Sequence, residues 1–77
     1  MPRYFFDIKD GEYLRDDEGA ELPDLDAARL EAVRYSAEVL REMPERFWNS
    51  EQWTMTVREG RVALFTLKFV AEKVPAG

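Results

Sequence analysis

A chain of 77 residues, 45% hydrophobic and 35% charged, has room for one hydrophobic core, so residues 1–77 are expected to form one small domain. Eleven Lys and Arg against 16 Asp and Glu leave a net charge of −5, which repels phosphate backbones and argues against DNA as a partner. His and Cys are both absent, which excludes disulfides, thiolate nucleophiles, imidazole bases and the usual zinc and haem ligand sets, and no cofactor is implied.

The first predicted element is a strand over residues 3–9, where Tyr4, Phe6 and Ile8 alternate with Arg3, Asp7 and Lys9, and Phe5 stands on the polar side. Asp10-Gly11 supplies a turn, because Gly accepts positive φ and Asp tolerates it. A short second strand is expected over residues 12–15. The stretch 16–21 then carries Asp16, Asp17, Glu18, Gly19, Ala20 and Glu21, too much charge for its apolar surface, and reads as a solvated loop. Charge is uneven along the chain: residues 1–26 hold three bases against nine acids, and the remainder is nearly neutral.

Asp24 is placed to cap a helix that begins at Leu25, its carboxylate accepting from an orphan amide at the positive end of the macrodipole. At 100° per residue, Leu25, Ala28, Ala32, Ser36, Val39 and Met43 share one meridian with Leu40 on its shoulder, while Glu31, Arg34, Glu38 and Arg41 point away. The small residues on that stripe bring the helix close to a sheet, and Pro44 ends it. Arg29 lies about 40° from the stripe at this spacing and is expected to reach back to Glu21 or Asp24.

Residues 45–50, with Phe47 and Trp48, form a connector of undefined shape. Next, Trp53, Met55 and Val57 alternate with Thr54, Thr56 and Arg58, and Glu59-Gly60 turns the chain into a second arm over residues 62–70. In that arm Phe65, Leu67 and Phe69 share one face and Val62, Leu64, Thr66, Lys68 and Val70 the other. Residues 71–77 are expected to fray. The fold class is therefore α+β, with an antiparallel sheet of three to four strands and one helix on one face, in the order β-β-α-β-β.

Function is less legible. Carboxylates are the only acid-base residues on offer. Asp7 is the most interesting of them, and reads most simply as an outward strand residue paired across to Lys or Arg. The run Asp10, Asp16, Asp17, Glu18, Glu21 lacks the ligand spacing of an EF-hand loop, and the four glycines are isolated. Along the helix Arg29, Arg34, Arg41 and Arg46 interleave with Glu31, Glu38, Glu42 and Glu45, giving local pairs instead of a basic stripe. The feature that stands out is apolar surface in excess of what one helix can hide, with Phe5, Phe47, Trp48, Val62, Leu64 and Val70 as candidate contact residues and Asp24, Arg29, Gly11 and Gly19 as structural ones. The reading is a non-enzymatic interaction module, a homodimer or the partner of another small protein. A carboxylate-based enzyme or divalent-cation site and a single-stranded RNA platform are the alternatives. No run of roughly 18 apolar residues exists to span a bilayer and the first residues lack a signal pattern, so no membrane contact and a cytoplasmic location are expected.

Set together, Pro2-Arg3-Tyr4-Phe5-Phe6, Asp10-Gly11, Asp17-Glu18-Gly19, Glu21-Leu22-Pro23-Asp24-Leu25 and Ala27-Ala28-Arg29 followed by Glu31-Ala32 resemble a family of short bacterial proteins known only as a domain of unknown function. The likeness covers residues 2–43 well and the final hairpin loosely. Family members often carry His where this chain has Asp7. The resemblance implies a core strand, two turns, a capped helix and no established activity. More remotely, the strand, hairpin and Asp-capped helix are similar at fold level to the partner-binding domain of antitoxins that accompany small RNA-cleaving toxins.

Overall fold

The computed structural model describes residues 1–76, and Gly77, the end of the expected frayed tail, lies outside them. The elements are β1 (Arg3–Lys9), β2 (Tyr13–Leu14), β3 (Ala20–Glu21), α1 (Leu25–Glu42), α2 (Pro44–Ser50), β4 (Gln52–Glu59) and β5 (Val62–Val70). All pairings are antiparallel and the strand order is β2-β1-β4-β5, with β3 also on β1. The α+β class and the antiparallel sheet stand, with five strands and two helices in place of three to four strands and one helix. β2 pairs with Ile8 and Lys9 while β3 pairs with Arg3 and Tyr4, so two short strands share one edge of β1.

Two-residue periodicity sorts the sheet into faces. Tyr4, Phe6 and Ile8 from β1 and Trp53, Met55 and Val57 from β4 are buried beneath the helices, joined by Phe47 of α2. Ala28 and Ala32 are fully buried on α1, and their lack of bulk lets the helix approach the aromatic floor. Asp24 Oδ1 accepts from the Ala27 N–H at 2.9 Å, which satisfies one of the orphan amides at the start of α1.

The connector expected over 45–50 is in fact α2. Pro44, placed to end α1, also occupies the first turn of α2, where its missing N–H costs nothing. The short helix closes at Glu51, whose φ of 57° is left-handed and whose N–H donates to Phe47 O at 2.7 Å. Met43, expected on the buried stripe, is the junction between the helices and is exposed. A register shift at Val57/Arg58 pairs Arg58 with Ala63 and Glu59 with Val62. The extra residue in β5, Leu64, moves Val62 off the row that carries Thr66, Lys68 and Val70, contrary to the unbroken alternation read from sequence.

Candidate functional site

The two edges of the sheet are built differently. On the β1 side, β2 and β3 leave a gap opposite Phe6, and the loop between them fills it with a side chain. Asp16 Oδ2 accepts from the Phe6 N–H at 3.1 Å, in place of a strand partner, while Asp16 Oδ1 accepts from the amides of Glu18 and Gly19, each at 3.0 Å. The stretch read as a solvated loop is thus an organised cover. Gly19 holds a φ of +71°, and a Cβ there would lie 2.8 Å from the Phe5 ring and 2.9 Å from Tyr4 O, so only glycine fits.

Beneath this cover Asp7 is 4% exposed, not an outward residue. It lies on the polar side of β1, but the loop folds over it. Its carboxylate takes Arg58 Nε at 2.7 Å, the Asp16 N–H at 2.9 Å and the Tyr13 hydroxyl at 3.3 Å. Arg58 also donates to Gly60 O and Asp16 O, both at 2.8 Å, and its guanidinium lies 4.5 Å from the centre of the Phe5 ring. Burial pushes the Asp7 carboxyl up, but its bonds from Arg58, the Asp16 amide and Tyr13, with the Arg58 charge, outweigh burial and hold it below the usual carboxylate range. The second buried acid, Asp10, is paired with Arg46 at 3.0 Å. Both buried carboxylates are thus paired with arginine, the arrangement of a structural ion pair. Among the described residues no group of three or more carboxylates is placed to hold a metal ion.

The β5 side is open. β5 is the outermost strand, nine residues long, with Lys68 as its one charge and neither Gly nor Pro inside it. Among the described residues no strand neighbours its outward N–H and C=O groups. α1 sits over β4 and leaves a groove of about 330 Å³ beside β5, walled by Val33, Ala37 and Leu40 and floored by Trp53, Leu67 and Phe69. Phe69 stacks edge-to-face on Phe47 at 5.1 Å, and Phe47 on Trp48 at 5.3 Å, so the apolar strip runs from the groove onto α2. Trp48, Phe69 and Val70 are each at least half exposed.

The chain's accessible surface is 5763 Å², against about 4,900 Å² for a compact monomer of this mass. The exposed tail over residues 72–76 and an elongated shape, 51 × 23 × 22 Å, contribute to that excess.

The domain of unknown function DUF6894 matches residues 3–70. The chain belongs to this family. The match spans both flanks of the DUF6894 sheet, from the Asp7 cluster to the end of β5, and so includes the hairpin that resembled the family only loosely. No curated protein and no solved structure matches the chain.

Of the residues singled out from sequence, Trp48, Val62, Leu64 and Val70 are exposed on or near the β5 side, whereas Phe47 and Phe5 are used internally. Phe47 is core because α2 turns it onto the sheet, and Phe5 is covered by Gly19 and Arg58. Arg29 pairs with Asp26 at 3.2 Å, one helical turn away and exposed, and reaches neither Glu21 nor Asp24. Gly11 holds a φ of 102° in the three-residue turn between β1 and β2. Sequence reasoning missed Val33, Ala37 and Leu67 as groove residues, because which flank of the helix stays uncovered depends on strand order.

Proposed function

We propose that this DUF6894 domain is a non-enzymatic interaction module that associates with a second copy of itself through the β5 edge. The carrying observation is a long, almost uncharged strand edge beside an apolar groove. Antiparallel pairing of β5 with β5 of a second copy satisfies the outward backbone groups and joins two sheets into one. Leu67 and Phe69 of each copy then meet on the helix side, and the groove beside α1 closes. A net charge of −5 opposes association in general, and β5 itself carries no acid to add to that repulsion.

The Leu64 bulge and Lys68 are devices that proteins use to discourage edge pairing. They confine the pairing to the straight segment Phe65–Val70. Amide hydrogen exchange tests this reading. Outward-facing amides of β5 should gain protection as protein concentration rises, while those of β1 stay unchanged. Concentration-independent exchange along β5 would remove the reading.

A further inference from the structure

We propose that the sheet face opposite the helices carries an anion site, centred on Thr54, that takes a phosphate group. This does not rest on self-association through the β5 edge. Register places Lys9, Thr54 and Lys68 side by side in one row across β1, β4 and β5. Lys9, Lys68, Gln52, Thr54, Thr66, Ser50 and Gly11 line a concavity of about 420 Å³ there, and no carboxylate among the described residues lines it.

That lining is unusual for this chain. Acids outnumber bases by 16 to 11, yet among the described residues neither Lys9 nor Lys68 forms an ion pair, and all seven ion pairs use arginine. The strand acids on this face, Asp7 and Glu21, are already held by Arg58 and Arg3. The lysine backbones stand two strand spacings apart, roughly 10 Å, and four-carbon stems let both ammonium groups close on one anion above Thr54.

The remaining donors fix the class of anion. Among the described residues the Thr54 hydroxyl and the Gln52 amide have no side-chain hydrogen-bond partner, and the Thr66 hydroxyl shares one bond with Thr56 at 3.1 Å. Ser50 spends its hydrogen on Gln52 O and contributes none. Two positive charges match a dianion, and neutral donors spread along and across the strands suit the oxygens of a tetrahedral phosphate better than a planar carboxylate.

The test is a two-dimensional amide NMR titration of the full chain at pH 8 with sodium phosphate, against sodium chloride at equal ionic strength. Saturable shifts clustered at Lys9, Thr54, Thr66 and Lys68 with phosphate alone are expected, with affinity lowered at least about tenfold in the Lys9→Gln/Lys68→Gln variant. A glycerol 3-phosphate arm separates the sources: tighter binding than inorganic phosphate assigns the site to a phosphomonoester, and equal or weaker binding assigns it to the free anion. Equal shifts in chloride, or phosphate shifts scattered over other basic residues, would overturn the site. The wild-type comparison alone decides this even where the variant fails to fold.

Discussion

Replacing Arg58 with Met removes the guanidinium but keeps an apolar stem over the Phe5 ring. Asp7, with a side chain 3% exposed, is then left with a buried negative charge and only the Asp16 amide and the Tyr13 hydroxyl to hold it. Removing one partner of a buried pair costs about 3 to 5 kcal/mol, and because those two bonds survive and Arg58 borders solvent, the lower end applies, about 3 kcal/mol. A domain of this size has roughly 4 to 12 kcal/mol in total, so the loss lowers Tm by some 12 to 24 °C. Asp7→Asn alone should cost less, about 2 kcal/mol, since Arg58 keeps the carbonyls of Gly60 and Asp16. The double variant leaves no charge stranded and should be at least about 1 kcal/mol better than the sum of the singles. Urea unfolding followed by the fluorescence of Trp53, which is 2% exposed, measures all three. An Arg58→Met cost below about 0.5 kcal/mol, or strict additivity, would refute the buried-pair argument.

The same cluster sets the acid limit of stability. Asp7 has its pKa lowered on folding, so its contribution is complete above the unfolded carboxylate value near 4 and is lost as pH falls through the lower folded value. Asp7→Asn should therefore flatten stability against pH below about 4, and an unchanged acid limb would contradict this. At the alkaline end, burial, with Glu59 and Asp24 nearby, raises the Tyr4 pKa, so stability should fall as pH rises above 10, and Tyr4→Phe should remove that loss. Gly19→Ala forces an L side chain into a left-handed conformation against Phe5 and Tyr4 O and should cost about 1 to 3 kcal/mol in the same assay; a neutral result would mean the loop is not held as described. Asp24→Ala should cost about 1 kcal/mol through the lost cap, whereas Arg29→Ala, whose pair with Asp26 is exposed, should stay within about 0.5 kcal/mol.

Local signals made much of the fold readable. The alternation Tyr4-Phe6-Ile8 and Trp53-Met55-Val57 gives the buried face of the sheet, and Asp24, Ala28 and Ala32 give the helix start and its close-packed stripe. Phe47 was harder to place, because a seven-residue helix holds too few turns to show a period, although Pro44 followed by Glu45 was a usable start signal. Asp16 left no mark at all: a side chain that replaces a strand partner looks like any acid in a polar loop. Asp7 and Arg58, 51 positions apart, meet only because β1 and β4 are neighbours in the sheet. Surplus apolar surface was visible in the composition of residues 62–70, but its position was not, since the Leu64 bulge redirects Val62 and the polar row Lys9, Thr54, Lys68 makes the open face hydrophilic. Exposed apolar side chains at the β5 edge and groove include Val33, Leu64, Phe69 and Val70, with Trp48 beside them, while Tyr13, Leu14 and Leu30 are exposed elsewhere.

Sedimentation equilibrium across a wide concentration range tests the central claim most directly, using the wild type beside Ala37→Glu, which puts a charge on the groove wall, and Phe69→Lys, which puts one at the strand edge. Association through β5 predicts a wild-type mass that climbs from 9.0 kDa toward twice that value, and variants that remain at 9.0 kDa while still folded. A wild type that holds at 9.0 kDa at every concentration, or variants that assemble as readily as the wild type, would contradict it.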